Sequence, residues 1–381
     1  MLRPSGDMTY DRYLLRSFVY VFAVCLASTL GLFVVIDLFE NIDDFLVRND
    51  DRGTPLLLWT ISRCYLFQSI FFIDRAGPTL TVVSVMVVLV LLQRTGELHT
   101  LLAAGIPMYR ILAPLVLISA AFHVAFALNQ EYVVPQIAHA AFEKRGEPES
   151  TKHLVESFTD HASHISIDGQ SVRLAERALD EAVFVLPAPS LVNEITILEA
   201  SVAEFYPAQG ARPAGWLLRN VRPSPETLEQ RLTSRGRETV RLKSGGRHAF
   251  VVSSVACDQL FKRNSNFSVL SIPELIGRIR SPAMGLELVH RLVLHLHSRL
   301  VQPILNIIAV LIALPLMVRK ESPGIVADSA LCGLVLSLMF GLIQACQVLG
   351  ENQIVPADTA AWIPVLIGGT IAAWLTGVIR T

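Results

Sequence analysis

The chain has 381 residues, of which 52% are hydrophobic and 17% charged, and its mean hydropathy is +0.49. Soluble domains carry about 25% charged residues and about 45 to 50% apolar ones with glycine counted, so composition alone gives a membrane protein. A formal net charge of −1, from 32 Lys plus Arg against 33 Asp plus Glu, lacks the broad cationic field of a nucleic-acid binder and argues against nucleic acid as a partner. The five cysteines, Cys25, Cys64, Cys257, Cys332 and Cys346, are too scattered for a disulfide framework.

Spanning a hydrocarbon core of about 30 Å takes about 20 mostly apolar residues. Six stretches meet that demand: residues 17–36, 76–92, 111–128, 300–318, 329–350 and 359–379. The second is preceded by an apolar run, 56–73, that Arg63 interrupts. The first is longer than the apolar region of a signal peptide and is closed by no small-x-small cleavage site, so it is expected to stay in the membrane.

Lys and Arg in short loops set orientation. Arg3, Arg12 and Arg16 precede span 1, Arg94 and Arg110 flank the loop between spans 2 and 3, Arg319 and Lys320 join spans 4 and 5, and Arg380 ends the chain. The loop after span 1 is acidic, with Asp37, Glu40, Asp43, Asp44, Asp50 and Asp51 against Arg48 and Arg52, and the loop between spans 5 and 6 carries Glu351 and Asp358. Both termini are therefore expected in the cytoplasm, with residues 132–290 outside.

That insert, roughly 160 residues long, can bury a core of its own. Short β-branched and aromatic runs at 164–174, 182–186, 194–198, 202–206, 216–221, 238–242 and 248–256 read as strands. Turn signals punctuate them, among them Asp168-Gly169, Pro187-Ala188-Pro189, Gly210 and Gly245-Gly246. The pattern predicts a sandwich or open barrel, followed by a short helix over 272–280. Three segments result: 1–131 with spans 1 to 3, 132–290 as an all-β domain, and 291–381 with spans 4 to 6.

Catalytic motifs are missing from the sequence. None of the five Lys follows a Gly, so no phosphate-cradling P-loop exists, and neither His-Glu-x-x-His nor Gly-x-Ser-x-Gly occurs. His161 and His164 lie in a β-rich polar stretch without nearby Cys and read as surface residues, while His295 and His297 point to different faces of a helix and read as interfacial. The expectation is a chain without catalytic residues, metal or cofactor.

The loop between spans 2 and 3 has a helical pattern. Leu98, Leu101 and Leu102 recur at i, i+3 and i+4, and Gly105 with Pro107 ends the run. Its bland reading is an interfacial helix that turns the chain around. Its functional reading is a coupling helix over about 94–105 that docks in a partner and carries movement into the spans. Glu97 bears on that choice, since an acid in a first helical turn is locally favourable and is also placed to meet an arginine across an interface.

At this loop the sequence resembles the LptF/LptG family of lipopolysaccharide-export permeases. The stretch Arg94-x-x-Glu97-Leu98-x-x-Leu101-x-Ala103-x-Gly105-Ile106 is similar to the family's coupling segment, and Pro78, 19 residues before Glu97, stands where the family has a proline in span 2. Residues 129–135 (NQEYVVP) resemble the exit from span 3, Gly215-Trp216-x-Leu218-x-Asn220-Val221 a strand of the outer domain, and His297-Ser-Arg-Leu-Val-Gln-Pro303 the entry to span 4. Leu349-Gly350-Glu351, Pro356 and Ala361-Trp362-Ile363-Pro364 resemble the start of span 6.

The resemblance implies six transmembrane helices with a periplasmic jellyroll-like β domain between spans 3 and 4, in a bacterial inner membrane. It implies a second LptF/LptG-type permease, two copies of an LptB-like cytoplasmic ATPase and LptC-like and LptA-like periplasmic bridge proteins as partners, with lipopolysaccharide or a related lipid as cargo. On that carry-over Arg94, Glu97, Leu98, Leu101 and Gly105 form the ATPase-coupling segment. Spans 1 and 5 line the lipid cavity in the family, so Phe33, Phe39 and Phe340 become candidates for acyl-chain contact.

One departure stands out. Some family members place a basic residue in the outer half of span 1, whereas this chain reads Phe33-Val-Val-Ile-Asp37-Leu-Phe-Glu40. Arg63 and Arg75, near the outer part of span 2, are candidate substitutes for meeting lipid phosphates. An apolar groove in the β domain would be lined by Ile165, Ile167, Val183, Val185, Ile195, Ile197 and Val251, unless these simply pack a closed core. Two readings remain open at this point: a permease without an ATPase of its own, and a membrane-anchored scaffold whose outer domain binds envelope proteins without transport. A lipid-modifying enzyme would need a clustered acid, base or metal set in the spans, which the sequence lacks.

Overall fold

The computed structural model describes residues 7–49, 54–137, 153–173, 176–209, 213–242, 247–260, 267–318 and 324–379. Arg3, Asp50, Asp51, Arg52, Arg319, Lys320 and Arg380, used above for orientation, lie outside the described residues, as do Leu174, Gly210, Gly245 and Gly246. The chain divides into two compact units, one of Met1–Ala141, Val269–Ile272 and Val293–Thr381, the other of Phe142–Ser268 and Pro273–Leu292.

Six helices are long and apolar enough to cross a membrane: Tyr10–Asp43, Ile61–Arg94, Met108–Ile137, Leu286–Met317, Ile325–Glu351 and Ala357–Gly377. The first five are longer than the stretch expected from hydropathy, because a helix runs on as far as its backbone bonds do. Span 2 belongs to one helix, Thr54–Arg94, which continues through both Arg63 and Pro78. Pro78 removes one backbone donor, a loss that neighbouring helices and hydroxyls tolerate inside a membrane. Thr81 Oγ1 donates to the Gly77 carbonyl at 2.9 Å just past it.

Span 3 packs closely on Gly77. A Cβ there would lie 2.7 Å from the Phe126 ring. Phe122 of span 3 meets the edges of Phe18 and Phe22 of span 1 at 5.3 and 4.8 Å. Leu14, Phe18, Val85, Leu89, Ile111, Leu115, Val310, Ile312 and Cys332 close the core of this unit.

The spans are unevenly packed. About 61% of the most apolar window of span 4 and 50% of that of span 2 are buried, against 11% in span 1 and 22% in span 5. Spans 2 and 4 are thus the inner helices of the unit, while spans 1 and 5 present bare apolar faces with Tyr20, Leu32, Phe39, Leu334 and Leu338 exposed.

Span 3 leaves the apolar zone through a π-helical turn, Asn129–Val133. Both carboxylate oxygens of Glu131 accept from the Ile272 N–H, at 3.1 and 3.0 Å. The Arg299 guanidinium donates to the Leu270 carbonyl, and Asn129 Nδ2 donates to Asp74 Oδ1 at 3.4 Å. The short returning segment Val269–Ile272 is therefore held by spans 3 and 4 through charged side chains.

In the second unit the described strands are β1 His153–Leu154, β2 Phe158–Asp160, β3 Ile165–Asp168, β4 Ser171–Arg173, β5 Ala178–Leu186, β6 Thr196–Tyr206, β7 Gly215–Arg219, β8 Val240–Leu242 and β9 His248–Val252. All pair antiparallel, in the order β1-β4-β5-β6-β7-β9-β8, with β2 on β3 and β3 on β5. The fold is thus six membrane-length helices with an antiparallel β region inserted between the third and fourth.

The run 164–174, expected as a strand, keeps a single pairing register across the turn signal Asp168-Gly169. Ser166 pairs with Val185 and Arg173 with Ala178 in one unbroken register against β5, and Gln170 N still donates to the Asp180 carbonyl. β3 and β4 are one strand with a local interruption opposite Glu181, whose φ is 47°. Two sequence expectations need correction: first, the runs 194–198 and 202–206, expected as two strands, are parts of the single strand β6.

The second correction concerns side-chain direction. Ile165, Ile167 and Val251 lie fully in the core, but Ile195 is 70% and Ile197 50% exposed, and Val183 and Val185 are only half-buried. Ala182, Phe184, Leu186, Leu198 and Ala200 take the inner positions instead. Strand side chains alternate, so choosing the β-branched residue at each step gives the wrong face when Phe and Leu carry the core. The core is closed around Trp216, whose Nε1 donates to the Val255 carbonyl at 2.9 Å and whose ring meets Phe184 and Phe205 at 6.0 and 5.4 Å. Two short helices absent from the sequence reading, Pro225–Arg231 and Ser234–Thr239, add Leu228 and the close-packed Gly236 to this core.

Candidate functional site: the loop between spans 2 and 3

Span 2 ends at Arg94, and its last turn is tightened by Thr95, whose hydroxyl donates to the Leu91 carbonyl at 3.0 Å. Gly96 then takes φ +72°, a left-handed conformation that costs a residue with a Cβ about 1 kcal/mol or more. This single residue breaks the direction of span 2 and starts a new helix, Glu97–Ala103. Its boundaries are narrower than the expected 94–105: Arg94 closes span 2 and Gly105 forms the cap beyond the helix.

That cap is specific. Ile106 N donates to the Leu101 carbonyl at 3.2 Å and Gly105 N to the Leu102 carbonyl at 3.0 Å. This is the Schellman pair of bonds, which needs a left-handed residue at the position Gly105 fills with φ +76°. Leu101 and Ile106, the apolar pair that accompanies such a cap, both pack against the core of the spans. Pro107 follows and span 3 begins at Met108.

The helix is two-faced. Leu98 is 2% exposed and sits in the span core, with Leu101 against it, while Arg94, His99, Thr100, Leu102 and Ala103 face outward. Next to them Tyr109 is 73% exposed. A rigid, capped helix rooted by one leucine and showing charged, polar and apolar groups on its free side is suited to docking. Two further contacts, not anticipated from the sequence, root it to neighbours. Gln93 Nε2 donates to the Met317 carbonyl at the end of span 4, and the Tyr13 hydroxyl of span 1 donates to Glu97 Oε1 at 3.2 Å.

The lipid-path candidates are scattered. Phe33 stacks on Phe72 of span 2 with centroids 5.0 Å apart. Phe39 is 76% and Phe340 38% exposed, and no ring contact joins the three phenylalanines to one another among the described residues. Arg63 is exposed with its guanidinium 5.8 Å from the centre of the Phe67 ring one turn away, and Arg75 is exposed. The acidic end of span 1 is engaged internally: Asp37 Oδ2 accepts from the Tyr65 hydroxyl at 2.9 Å, and its backbone carbonyl accepts from Asn41 Nδ2 at 2.7 Å. Among the described residues no three His, Cys, Asp or Glu side chains gather as a metal site. His161 lies close against Gly285, and His164 occupies a left-handed turn position with φ 55°.

With six membrane-length helices, the inserted β region and the capped loop helix in place, comparison with known families is decisive. The family described as lipopolysaccharide export system permease LptF/LptG matches residues 12–377. The chain belongs to the LptF/LptG family. That match takes in both spans flanking the loop helix, the whole β region and the six membrane helices apart from the first two residues of span 1. It makes the chain, by family, a multi-pass membrane protein of lipopolysaccharide export. No curated protein sequence matches it.

Proposed function

We propose that this LptF/LptG-family chain is a permease subunit of an ABC transporter that extracts lipopolysaccharide, or a related large amphipathic lipid, from the inner membrane and passes it to a periplasmic bridge. The family match over residues 12–377 carries this reading. Each lipid CH₂ moved into water costs about 0.8 kcal/mol, so a multi-chain lipid needs an external energy source. Without a Gly-Lys pair in the sequence, that source is a separate, LptB-like cytoplasmic ATPase dimer. The chain itself is then no enzyme.

The loop helix Glu97–Ala103 is the coupling helix in this reading. Arg12, Arg16, Arg94 and Arg110 support a cytoplasmic location for it and for both termini, with the β unit in the periplasm, where LptC-like and LptA-like bridge proteins receive the lipid. Leu98, Leu101 and the Gly105 cap keep the helix rigid, and Arg94 and Glu97 meet the ATPase. The bare faces of spans 1 and 5, with Phe33, Phe39 and Phe340, serve a second LptF/LptG-type permease and the lipid between the two. Arg63 and Arg75 are the cationic groups of span 2 available to lipid phosphates.

The test is purification of the full chain in mild detergent with mass spectrometry of its accompanying proteins and lipids. Recovery of a P-loop ATPase, a second six-span permease and a lipid A type glycolipid is the expected result. Recovery of periplasmic proteins alone would point to a scaffold instead.

A further inference from the structure

Span 1 and the coupling helix are distant in sequence, yet one carboxylate joins them. The Tyr13 hydroxyl donates to Glu97 Oε1 at 3.2 Å across 84 residues of chain. Three residues earlier, on the same side of the same helix, stands a second phenol. The Tyr10 oxygen is buried, has no hydrogen-bond partner among the described residues and lies within electrostatic range of the Glu97 carboxylate. Tyr10 packs against the cluster that holds Leu14, from its own helix, and Leu98, the residue after Glu97.

A carboxylate has about four acceptor sites and a phenol one donor. An unpaired buried hydroxyl within electrostatic range of a charged acceptor is therefore a vacant donor for a carboxylate that still has capacity. Residues three apart on a helix are separated by about 4.5 Å along its axis, a shift comparable to one helical turn. We propose that Tyr13 and Tyr10 form a two-position seat for Glu97 on span 1. Tyr13 orients the carboxylate in the present state, and Tyr10 takes it when the coupling helix moves toward the start of span 1. The inference rests on the coupling role of Glu97 proposed above and adds a direct mechanical link from the coupling helix to span 1. Tyr10 and Tyr13 are positioning residues: they act through Glu97 and touch neither nucleotide nor lipid.

The experiment uses the complete transporter, this chain with its ATPase and partner permease, in phospholipid vesicles loaded with lipopolysaccharide. The readout is lipopolysaccharide released per ATP hydrolysed. Tyr13→Phe, Tyr10→Phe and Glu97→Gln are made singly, and each tyrosine change is also combined with Glu97→Gln. Losing a hydrogen bond to a charged group corresponds to about a tenfold change, so each phenylalanine is expected to lower the ratio up to about tenfold. Neither is expected to lower it further once Glu97 is Gln, since all three changes break one linkage. A ratio unchanged by either phenylalanine, or losses that add in the Glu97→Gln background, would overturn the seat. Should Glu97→Gln itself leave the ratio at the unsubstituted value, the coupling role falls and the seat with it. Uncoupling by Glu97→Gln without any effect of the tyrosines removes the seat alone. Removing a single phenolic oxygen keeps the ring packing, and co-purification of the ATPase checks that each variant assembles.

Discussion

The two units of this chain bury their apolar residues in opposite ways. The β unit closes on itself: Trp216, Phe184, Leu186 and Leu198 have no exposed surface, and the indole N–H finds a partner at Val255. The span unit keeps spans 2 and 4 inside and leaves spans 1 and 5 bare. In water, bare faces such as these would be an aggregation liability; in a membrane they meet acyl chains or another helix. The difference teaches where each unit's specificity resides. The β unit is defined by what it packs within, and the span unit by what it has yet to meet.

The sharpest way to break that comparison is inside the β unit. Trp216→Ala is expected to cost about 3 to 5 kcal/mol, enough to unfold the unit, and limited proteolysis of the full chain would show new cleavage among residues 153–260. Neighbouring positions on β6 then sharpen it. Leu198→Ala is expected to cost about 2 to 5 kcal/mol, whereas Ile197→Ala, at a site 50% exposed, is expected to change stability by about 0.5 kcal/mol or less. Denaturant titration followed by tryptophan fluorescence measures both, and equal effects would mean the strand register is wrong.

In the span unit the corresponding contrast is Leu98 against Leu102, which are 2% and 38% exposed. Leu98→Ala is expected to loosen the loop helix by about 2 kcal/mol or more, seen as faster hydrogen exchange over 97–103. Leu102→Ala leaves exchange unchanged but weakens co-purification of the ATPase. Gly105→Ala is expected to cost less than Leu98→Ala, about 1 to 2 kcal/mol of left-handed strain, read as lost protection of the Ile106 amide.

Much of this was legible because membrane segments and glycine caps are local signals. Hydropathy finds the six helices, and Gly105-Ile106-Pro107 announces the end of the loop helix. Pairwise contacts between distant residues left no such trace. Tyr13 and Glu97 look like an ordinary interfacial aromatic and an ordinary first-turn acid until the helices are set side by side. The anchoring of Val269–Ile272 by Glu131 and Arg299 was hidden in the same way. The β strands were found by composition, but the inner faces of β5 and β6 were misassigned, since Val183 and Ile197 differ from Phe184 and Leu198 by one residue and alternation reverses the face at each step.

The most direct test of the account is lipopolysaccharide release from vesicles by the purified transporter, driven by ATP, with Glu97 intact and with Glu97→Ala. The account predicts ATP-dependent release by the unsubstituted complex, and none by the variant, even though the variant inserts normally. Release by the variant at the unsubstituted rate would contradict the coupling assignment, and no ATP-dependent release by either would contradict the export function itself.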